Sequence, residues 1–541
     1  MALIAVKFWR RPHSGRSAVH ACNGIVASSQ PLASQTGIQI LQAGGNACDA
    51  IVAMAAVLNV VEPFSTGIGG DAFALLYLPS EKIPKSINGS GFAPMGLSYT
   101  YLVEELSLEK MPETGLIPIT VPGALSAWEM IHEAYGKLPW EDILQPAIKY
   151  AHDGFPVSPI IAQVWNEFVP KLLNHEGAKE TYLINDQRAP LAGEIFKQKN
   201  LASTLRTISK QGADAFYRGD LSNQLAEFLQ QEGGFIQTSD LENYKAEWTT
   251  PISREVYNNI VWEHGPNGQG LVTLLILSII EELDIARYPH NSIDYLHYMI
   301  EAKKLAFADA SAYIADPEYM TISLSKFLSE EYAQTHASQI NPIQAMRSIP
   351  GPLQLGDSTV YLTAADKDGM AVSFINSLYS GFGSGVVDPQ TGIAFQNRGA
   401  GFSLIKGHPN QYLSKKRPFH TIIPAMITST ENELTYSFGV MGGHHQPQGQ
   451  AQVFLNLILH EMDPQEAIDC PRFHHDQTTN TVAFEEPIGV RIKSELRKRG
   501  HFVLDSVGIN FGGGQIIQRD LSTGCYTGGS DPRKDGQVQG Y

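Results

Sequence analysis

The feature that most constrains the fold of this chain is a pair of alternating segments about two-thirds of the way along it. TVYLTAAD begins at Thr359 and GMAVSFIN begins at Gly369, with only a short polar turn between them. Such alternation is typical of strands, so the segments are predicted to form an antiparallel hairpin closed through residues 366–369. Counting back from that turn places Thr359 opposite Asn376 and beside Ser377.

Thr359 stands where a loop is expected to end and a strand to begin. The polar stretch from Glu330 to Ser358 is predicted to be a long exposed loop. If the Ser358–Thr359 bond is cut, the new α-amine, with a pKa of about 7.7 to 8.0, becomes a base attached to the nucleophile itself. The cut can be autocatalytic, with Thr359 Oγ attacking the Ser358 carbonyl. The alternative is a strand threonine without chemical consequence, because threonine favours strands.

The rest of the chain divides into a helix-rich first part and a strand-rich second part. A nearly all-apolar helix opened by Asp49 must be buried. Beyond residue 359, short apolar runs separated by Gly, Asp and Pro are typical of antiparallel strands. At 541 residues the chain exceeds one simple core of roughly 250 to 300 residues, so two lobes or one elaborated layered domain are expected.

Charge and hydropathy exclude several classes of function. The net charge is -16 without a basic block, which argues against nucleic acid as a partner. The longest apolar runs fall short of the ~20 residues that a membrane span requires. The apolar start of the chain is too short for a typical secretory signal, so a cytoplasmic location is expected. Free thiols are predicted at all four cysteines, Cys22, Cys48, Cys470 and Cys525.

Two other motifs do not predict a cofactor. Four histidines, His444, His445, His474 and His475, lack the spacing of a metal chelate, so no metal is expected. The stretch STGIGGDAF lacks both the GxGxxG pattern and a following Lys-Ser/Thr pair, and a turn beneath the strand of Thr359 is predicted there instead.

Seven stretches in collinear order resemble the γ-glutamyltransferase (glutathione hydrolase) family, in particular its cytoplasmic, acylase-like branch, and the match runs from about residue 20 to 520. They are GGNACDAIVA, EPFSTGIGGDAF, VPGALSAWE, QPAIKYAHDGF, TVYLTAADKDGMAVSFINSLYSGFGSGVV, KRPFHTIIPAM and MGGHHQPQGQ. The resemblance implies an α+β fold, the N-terminal-nucleophile (Ntn) hydrolase αββα sandwich of two packed antiparallel sheets. It also implies a precursor cut into residues 1–358 and 359–541, which remain together as one intertwined catalytic unit.

The same resemblance assigns roles to four residues. Thr359 aligns with the family nucleophile, and Ser377 falls where the family has a second threonine that orients it. Gly442 and Gly443 align with a glycine pair whose backbone N–H groups form the oxyanion hole. Glycine suits that position because the reacting carbonyl must approach the backbone closely.

The sequence departs from the family pattern where the substrate is recognised. Ser90 occupies the position of an arginine that binds the α-carboxylate of a γ-glutamyl group. Gly401 replaces the aspartate that binds the α-amine, and His420 and Thr421 replace a serine pair that binds the carboxylate. Two charges of the usual recognition set are therefore missing.

An arginine appears nearby and can restore recognition of an acid. Arg398 stands at a glutamine position of that set, and Tyr379 replaces a polar residue next to it. Arg398 can bind the carboxylate of a glutamyl, glutaryl or succinyl group through its two-pronged donor geometry, with His420 donating to the same carboxylate. The alternatives are an arginine that bridges strands and a structural histidine.

The expected function is hydrolysis of γ-glutamyl amides such as glutathione through an acyl-threonine intermediate, after self-processing. Hydrolysis is favoured over transfer because the α-amino acid clamps are missing. An acylase for glutaryl-type amides and an uncut, non-catalytic binding protein of the same fold are the alternatives. The expected partners are a small-molecule amide and the chain's own two products as a heterodimer, with no membrane and no nucleic acid.

Overall fold

The computed structural model describes residues 15–347, 358–504 and 510–541. Two seven-stranded sheets form the centre of this part of the chain, and all neighbouring strands within them are antiparallel. Sheet I has the strand order Gln537–Gly540, Gly24–Ser28, Ser358–Asp366, Ala371–Tyr379, Asp71–Tyr77, Lys85–Gly89 and Glu247–Thr249. Sheet II has the order Val19–Ala21, Tyr526–Ser530, Gly513–Arg519, Leu434–Met441, Ala425–Thr428, Asn259–Glu263 and Ile252–Val256.

The predicted hairpin is present at the centre of sheet I. Its strands are Ser358–Asp366 and Ala371–Tyr379. The turn is closed by Asp366, whose amide donates to the carbonyl of Met370 at 3.0 Å and whose carbonyl accepts from Gly369 at 3.1 Å. Gly369 has φ of 85°, a left-handed conformation that glycine adopts without steric cost.

The predicted register of this hairpin was wrong by one residue. Asn376 lies opposite Val360 rather than opposite Thr359. Asp366 pairs with Met370, so the loop between the strands is one residue shorter than the closure assumed from the sequence. A register shift between Ser358 and Val360 then places Thr359 at an irregularity of the ladder.

Helices cover the outer face of sheet I. The nearly all-apolar helix is Ala47–Val61, which is buried along its whole length, as predicted. Asn46 and Asp49 close its first turn as a capping box. Other helices of this first half are Pro31–Gln42, Ala124–Tyr135, Trp140–Asp153, Pro159–Glu167, Val169–Leu172, Glu176–Tyr182, Lys199–Gln211, Asp214–Tyr217, Asp220–Gln231 and Thr238–Glu242.

A second set of helices covers the outer face of sheet II, and its apolar residues form one cluster with that face. These helices are Gly270–Glu282, Ile293–Tyr313, Leu324–Phe327, Glu330–Gln339, Gln446–Ile458, Pro464–Asp469 and Val490–Lys498. Between the two sheets lie apolar side chains from both, including Leu75, Tyr77, Tyr361, Met426 and Ile517. The layers therefore run helix, sheet, sheet, helix, which confirms the predicted αββα sandwich.

Both sheets combine strands from before and after the Ser358–Thr359 bond. In sheet I, the central hairpin and the C-terminal strand lie among four strands from earlier in the chain. In sheet II, three early strands flank four late ones. The division into residues 1–358 and 359–541 stays a prediction, and neither segment on its own contains the whole of sheet I or of sheet II.

The long loop predicted from Glu330 to Ser358 is partly wrong. Residues Glu330–Gln339 form a helix, begun by Ser329, whose hydroxyl accepts from the Tyr332 amide. Ser358 is buried as the first residue of its strand, and residues 348–357 lie outside the described part. None of the described helices is both long and apolar enough to cross a membrane.

Candidate active site

Thr359 and Ser377 meet at the open end of the central hairpin. Their hydroxyl oxygens are 3.0 Å apart, and both residues are buried. Ser377 Oγ also accepts hydrogen bonds from the Tyr379 amide at 2.8 Å and from Arg398 Nη2 at 3.1 Å. A hydroxyl has two acceptor lone pairs and one proton, so these donors leave the Ser377 proton for an acceptor. The Ser358 carbonyl oxygen lies 2.9 Å from Ser377 Oγ and accepts it.

One hydroxyl therefore contacts both oxygens that a self-cleavage reaction would use. A hydrogen bond from Ser377 to the Ser358 carbonyl polarises that group and stabilises negative charge that develops on its oxygen. Once the peptide bond is cut, the same proton can turn to Thr359 Oγ1 at 3.0 Å. The geometry suits a reaction in which the Ser377 hydroxyl donates first to the Ser358 carbonyl of the precursor and, after cleavage, to the hydroxyl of Thr359.

Arg398 is the fixed charge beside this pair of hydroxyls. It begins a short turn of 3-10 helix, Arg398–Gly401, and its side chain is fully buried. Nη1 donates to Thr421 Oγ1 at 2.8 Å, and the guanidinium carbon lies 4.2 Å from the centre of the Tyr379 ring. Burial lowers the pKa of Arg398 to about 10, against the opposing charge of Asp71, so the group stays cationic at neutral pH.

Asp71 is a member of the cluster that the sequence analysis missed. Its Oδ2 lies 3.0 Å from His420 Nε2 and 3.6 Å from Arg398 Nε. Its Oδ1 accepts from the Gly91 amide at 3.1 Å and from Gln396 Nε2 at 3.0 Å. Burial raises the pKa of Asp71 from 3.8 to about 7, although the positive charge of Arg398 opposes the shift.

A signal for Asp71 was present in the sequence. The predicted turn does precede a strand, Asp71–Tyr77, which pairs with the second strand of the hairpin. Asp71 is the one charged residue of GGDAFALLYL, which is otherwise apolar. A carboxylate in such a place requires a partner because an unpaired buried charge is costly.

His420 is held as a neutral ring in this cluster. Its Nδ1 accepts from the Ile422 amide at 3.4 Å, so the hydrogen-bond pattern assigns the proton to Nε2, which donates to Asp71. The ring centre lies 4.6 Å from that of Phe73. Burial lowers the pKa of His420 well below 6.5, and the charges of Arg398 and His264 lower it further.

The predicted oxyanion glycines lie between the strand Leu434–Met441 and the helix Gln446–Ile458. Gly442 has φ of 129° and Gly443 has φ of 56°, values that residues with a side chain rarely adopt. Gln269 Nε2 donates to the carbonyls of Gly443 at 2.8 Å and Thr421 at 2.6 Å, which ties this loop to the Arg398 cluster. Within residues 15–347, 358–504 and 510–541, neither glycine amide meets a hydrogen-bond acceptor.

Ser90 lies one step away from the cluster. Its hydroxyl accepts from Asn267 Nδ2 at 3.0 Å, and the Asn267 carbonyl accepts from the His420 amide at 2.8 Å. The structure thus connects Thr359, Ser377, Tyr379, Arg398, His420 and Thr421 directly or through one shared atom, whereas Ser90 joins them through Asn267.

A mostly apolar cavity of about 220 Å³ opens beside this cluster, at Gly401. Phe402 and Phe419 line it together with Ile314. A Cβ atom at Gly401 would come within 2.8 Å of the Phe419 carbonyl oxygen, too close for a side chain without movement of the backbone. Glycine at this position is therefore required by the local packing.

The four histidines form no metal centre in the described part of the chain. The rings of His445 and His474 stack at 5.1 Å, while His475 Nδ1 lies 3.0 Å from Lys303 Nζ. No group of three or more His, Cys, Asp or Glu residues among residues 15–347, 358–504 and 510–541 is placed to hold a metal ion.

The sequence profile of the γ-glutamyltranspeptidase family matches residues 33–541. The chain belongs to this family. It is 37% identical over 529 residues to the glutathione hydrolase-like YwrD proenzyme of Bacillus subtilis (strain 168), across 95% of this chain and 98% of that protein. It is 35% identical to the oxamate amidohydrolase proenzyme of Klebsiella pneumoniae, across 98% of this chain and 100% of that protein.

The fold agrees with membership of the γ-glutamyltranspeptidase family. The structure of a cephalosporin acylase from Bacillus halodurans superposes with a TM-score of 0.92 at 43% identity, covering 98% of each chain. The protein is therefore an Ntn-type hydrolase of the amidohydrolase and acylase kind, which confirms the predicted enzyme class. Self-cleavage and the roles of the individual site residues stay predictions.

Proposed function

We propose that this protein cleaves itself between Ser358 and Thr359 and then hydrolyses amides of dicarboxylic acids, with γ-glutamyl amides such as glutathione as the first candidates. One contact carries most weight. Ser377 Oγ lies 3.0 Å from the hydroxyl of Thr359 and 2.9 Å from the carbonyl oxygen of Ser358, so one group can serve both oxygens.

Self-cleavage begins with attack of Thr359 Oγ1 on the carbonyl carbon of Ser358. The C–N bond breaks, Ser358 becomes esterified to the threonine oxygen, and the threonine nitrogen becomes a free amine. Water then hydrolyses the ester, which leaves Thr359 with a hydroxyl and an α-amine on the same residue.

Amide hydrolysis by the processed enzyme uses that amine as the base. It takes the hydroxyl proton while Thr359 Oγ1 attacks the substrate carbonyl, and the proton passes to the leaving amine. The backbone N–H groups of Gly442 and Gly443 are the proposed oxyanion donors. Loss of one such donor typically costs on the order of 10²- to 10³-fold in rate. Water then releases the acyl group from the threonine.

Arg398 is the proposed site for the second carboxylate of the acyl group. A guanidinium has five N–H donors. Within the described residues, two of them bond to Ser377 and Thr421, and Nε faces Asp71 at 3.6 Å, too far for a hydrogen bond. One N–H on each terminal nitrogen is left, which is the arrangement that binds a carboxylate through two parallel hydrogen bonds.

The acyl group can carry an α-amine, as γ-glutamyl does, or lack one, as glutaryl does. A relative named a glutathione hydrolase-like proenzyme supports the first. Gly401 supports glutaryl as the second candidate, because an aspartate does not fit at that position and glycine offers an ammonium no carboxylate there. Hydrolysis is proposed over transfer since the same absence weakens the binding of an amino acid acceptor.

Intact mass of the purified protein tests self-cleavage. Wild type is expected to give two chains that end at Ser358 and begin at Thr359, whereas Thr359→Ala gives one chain without activity. Thr363→Ala is the matched control, because Thr363 lies on the same strand and contacts Ser437 rather than the scissile bond. It is expected to be cut as the wild type is. Fully active wild type with an intact Ser358–Thr359 bond would refute the proposal.

Substrate choice is tested with a pair of anilides that differ only in the α-amine. The values of kcat/KM for γ-glutamyl-anilide and glutaryl-anilide are compared, with acetyl-anilide as the control that lacks a second carboxylate. Both acidic anilides are expected to have a higher kcat/KM than acetyl-anilide, and Arg398→Gln is expected to remove that difference. A dipeptide acceptor that raises turnover many-fold would show that transfer, not hydrolysis, is the main reaction.

A further inference from the structure

Two of the four cysteines face each other at the edge of sheet II. The Sγ atoms of Cys22 and Cys525 are 3.3 Å apart. The strand before Cys22 is antiparallel to the strand that begins at Tyr526, and its last pair is Ala21 with Tyr526. Cys22 and Cys525 come next in the same register. Directly opposed residues in antiparallel strands have Cα atoms about 4.5 to 5.5 Å apart, within the range that a disulfide spans.

The backbone holds both cysteines in place. The Cys22 amide donates to the carbonyl of Tyr541 at 3.2 Å, and the Cys525 amide donates to Thr523 Oγ1 at 3.2 Å. The Cys525 carbonyl accepts from the Asp520 amide at 2.9 Å. The backbone groups of both residues thus bond to other parts of the chain rather than to each other. The sulfurs can close to the roughly 2.0 Å of a disulfide by side-chain rotation, without a change in the strands.

The other two thiols are in places that disfavour oxidation. Cys48 is buried with its sulfur 3.6 Å from that of Met370, and Cys470 lies 3.4 Å from the sulfur of Met462. Burial raises the pKa of Cys470 to about 12 and that of Cys48 well above 9. Cys22 is exposed, so the pair at the sheet edge is the accessible one.

We propose that Cys22 and Cys525 form a disulfide that joins the two processed chains covalently. Cys22 precedes the Ser358–Thr359 bond and Cys525 follows it, so this link spans the products of self-cleavage. It does not depend on which amide the enzyme hydrolyses, and a bond can form in the uncut chain as well.

The oxidant in this reaction is a small-molecule disulfide. The thiolate of Cys22 attacks one of its sulfurs, breaks the S–S bond and releases one small thiol, leaving a mixed disulfide. The thiolate of Cys525 then attacks the Cys22 sulfur and releases the second small thiol. Two protein thiols are oxidised to one disulfide, and the reagent is reduced to two thiols.

The link lies far from the proposed nucleophile. In sheet I, Gly24 pairs with Asp366, at the turn end of the strand that carries Thr359 at its other end. Seven residue steps separate Thr359 from Asp366, about 23 Å at 3.3 Å per residue. Oxidation is therefore expected to leave kcat/KM unchanged while it prevents the two chains from separating.

Peptide mapping of oxidised protein tests the link. Purified protein is treated with 2-hydroxyethyl disulfide in mildly alkaline buffer, remaining thiols are alkylated, and a non-reducing digest is analysed by mass spectrometry. The expected result is one peptide pair joined through Cys22 and Cys525, with Cys48 and Cys470 alkylated. Separate Cys22 and Cys525 peptides, alkylated or carrying the reagent, would overturn the proposal.

Variants identify the bond and separate it from self-cleavage. The linked peptide is expected in Cys470→Ala and absent in Cys22→Ser and Cys525→Ser, and a linked peptide in either of those two would overturn the assignment. On a non-reducing gel the two processed chains should run as one band that reductant splits in two. One band with and without reductant, together with the linked peptide, would mean that the disulfide stands and the proposed self-cleavage does not.

Discussion

Two buried arginine–aspartate pairs in this protein have opposite electrostatics. Arg472 Nη2 donates to Asp531 Oδ2 at 2.7 Å, whereas Arg398 Nε is 3.6 Å from Asp71 Oδ2. All four side chains are buried. Burial alone would raise the pKa of both carboxyls. The charges of Arg472 and Arg533 outweigh it and lower the pKa of Asp531, while the pKa of Asp71 rises to about 7.

The difference lies in what else each group contacts. Asp531 accepts four hydrogen bonds, from the Gly514 and Arg533 amides and from the side chains of Arg472 and Arg533. The Asp531 carboxylate is therefore fully hydrogen-bonded. Arg398 instead directs its terminal nitrogens at Ser377 and Thr421, beside the proposed nucleophile. A buried pair with poor mutual geometry and a shifted carboxyl pKa is characteristic of functional sites.

Removal of the Asp531 charge is expected to cause the largest change, a loss of stability. Asp531→Asn leaves Arg472 with an uncompensated buried charge and should lower the free energy of unfolding by about 3 to 5 kcal/mol. The matched variant Asp71→Asn should cost under about 1 kcal/mol, since a carboxyl with a raised pKa is already partly neutral at pH 7. Urea unfolding in a Thr359→Ala background measures both on a single chain. Equal losses would show that the two pairs are alike.

Exchange of each arginine for lysine should separate function from stability. Arg398→Lys keeps the charge but cannot reach Ser377 and Thr421 together, so kcat/KM is expected to fall on the order of 10²-fold with little loss of stability. Arg472→Lys should lower the unfolding midpoint and leave kcat/KM of the folded enzyme near the wild-type value. Near-normal activity in Arg398→Lys would contradict the role given to that residue.

The pH dependence of stability should have opposite signs for the two carboxyls. The folded pKa of Asp71 is raised from 3.8 to about 7, so its contribution is present below about pH 4 and is lost as pH rises towards 7. The slope is at most about 1.4 kcal/mol per pH unit. The lowered pKa of Asp531 gives stability above pH 3.8 that is lost as pH falls below it. The midpoint of thermal unfolding is measured between about pH 3 and 8. In Asp71→Asn, the loss of stability with rising pH that Asp71 causes should disappear, while the loss at low pH that Asp531 causes should remain.

The smallest expected effect belongs to Ser377→Thr, which keeps the hydroxyl that contacts Thr359 and Ser358. Self-cleavage and turnover should change less than tenfold, equivalent to about 1.4 kcal/mol. Ser377→Ala removes the hydroxyl and should stop conversion of precursor to product over the same period. The time course of the two chains on a reducing gel distinguishes them, and rapid cleavage in Ser377→Ala would exclude the shared hydroxyl as a participant.

Local pattern was enough to predict the hairpin and the buried helix Ala47–Val61, whereas the sandwich was implied by the family resemblance. Local pattern was not enough to predict the strand partner of Thr359, because one residue more or less in the turn shifts every residue pair along the two strands. The helix Glu330–Gln339 was missed because its apolar periodicity is weak, although Ser329 with two following glutamates is a typical start of a helix.

Thr359, Arg398 and His420 of the candidate site were named from the sequence, whereas Asp71 was missed. Ser377 follows from the hairpin, since it lies next to Thr359 across one pair of strands. The contact of Asp71 with Arg398 and His420 joins segments more than 300 residues apart, which no spacing rule reaches. Arg398 does bridge strands, as the alternative interpretation held, and still has donors to spare for a ligand.

The order of the strands also bears on whether folding precedes the proposed cleavage. Sheets I and II each combine strands from both sides of the Ser358–Thr359 bond, so neither half could complete either sheet if it were made alone. If the two halves were made as separate polypeptides, each would have unpaired strand edges that can pair with strands of other chains. This topology therefore favours folding of one continuous chain before the proposed scission.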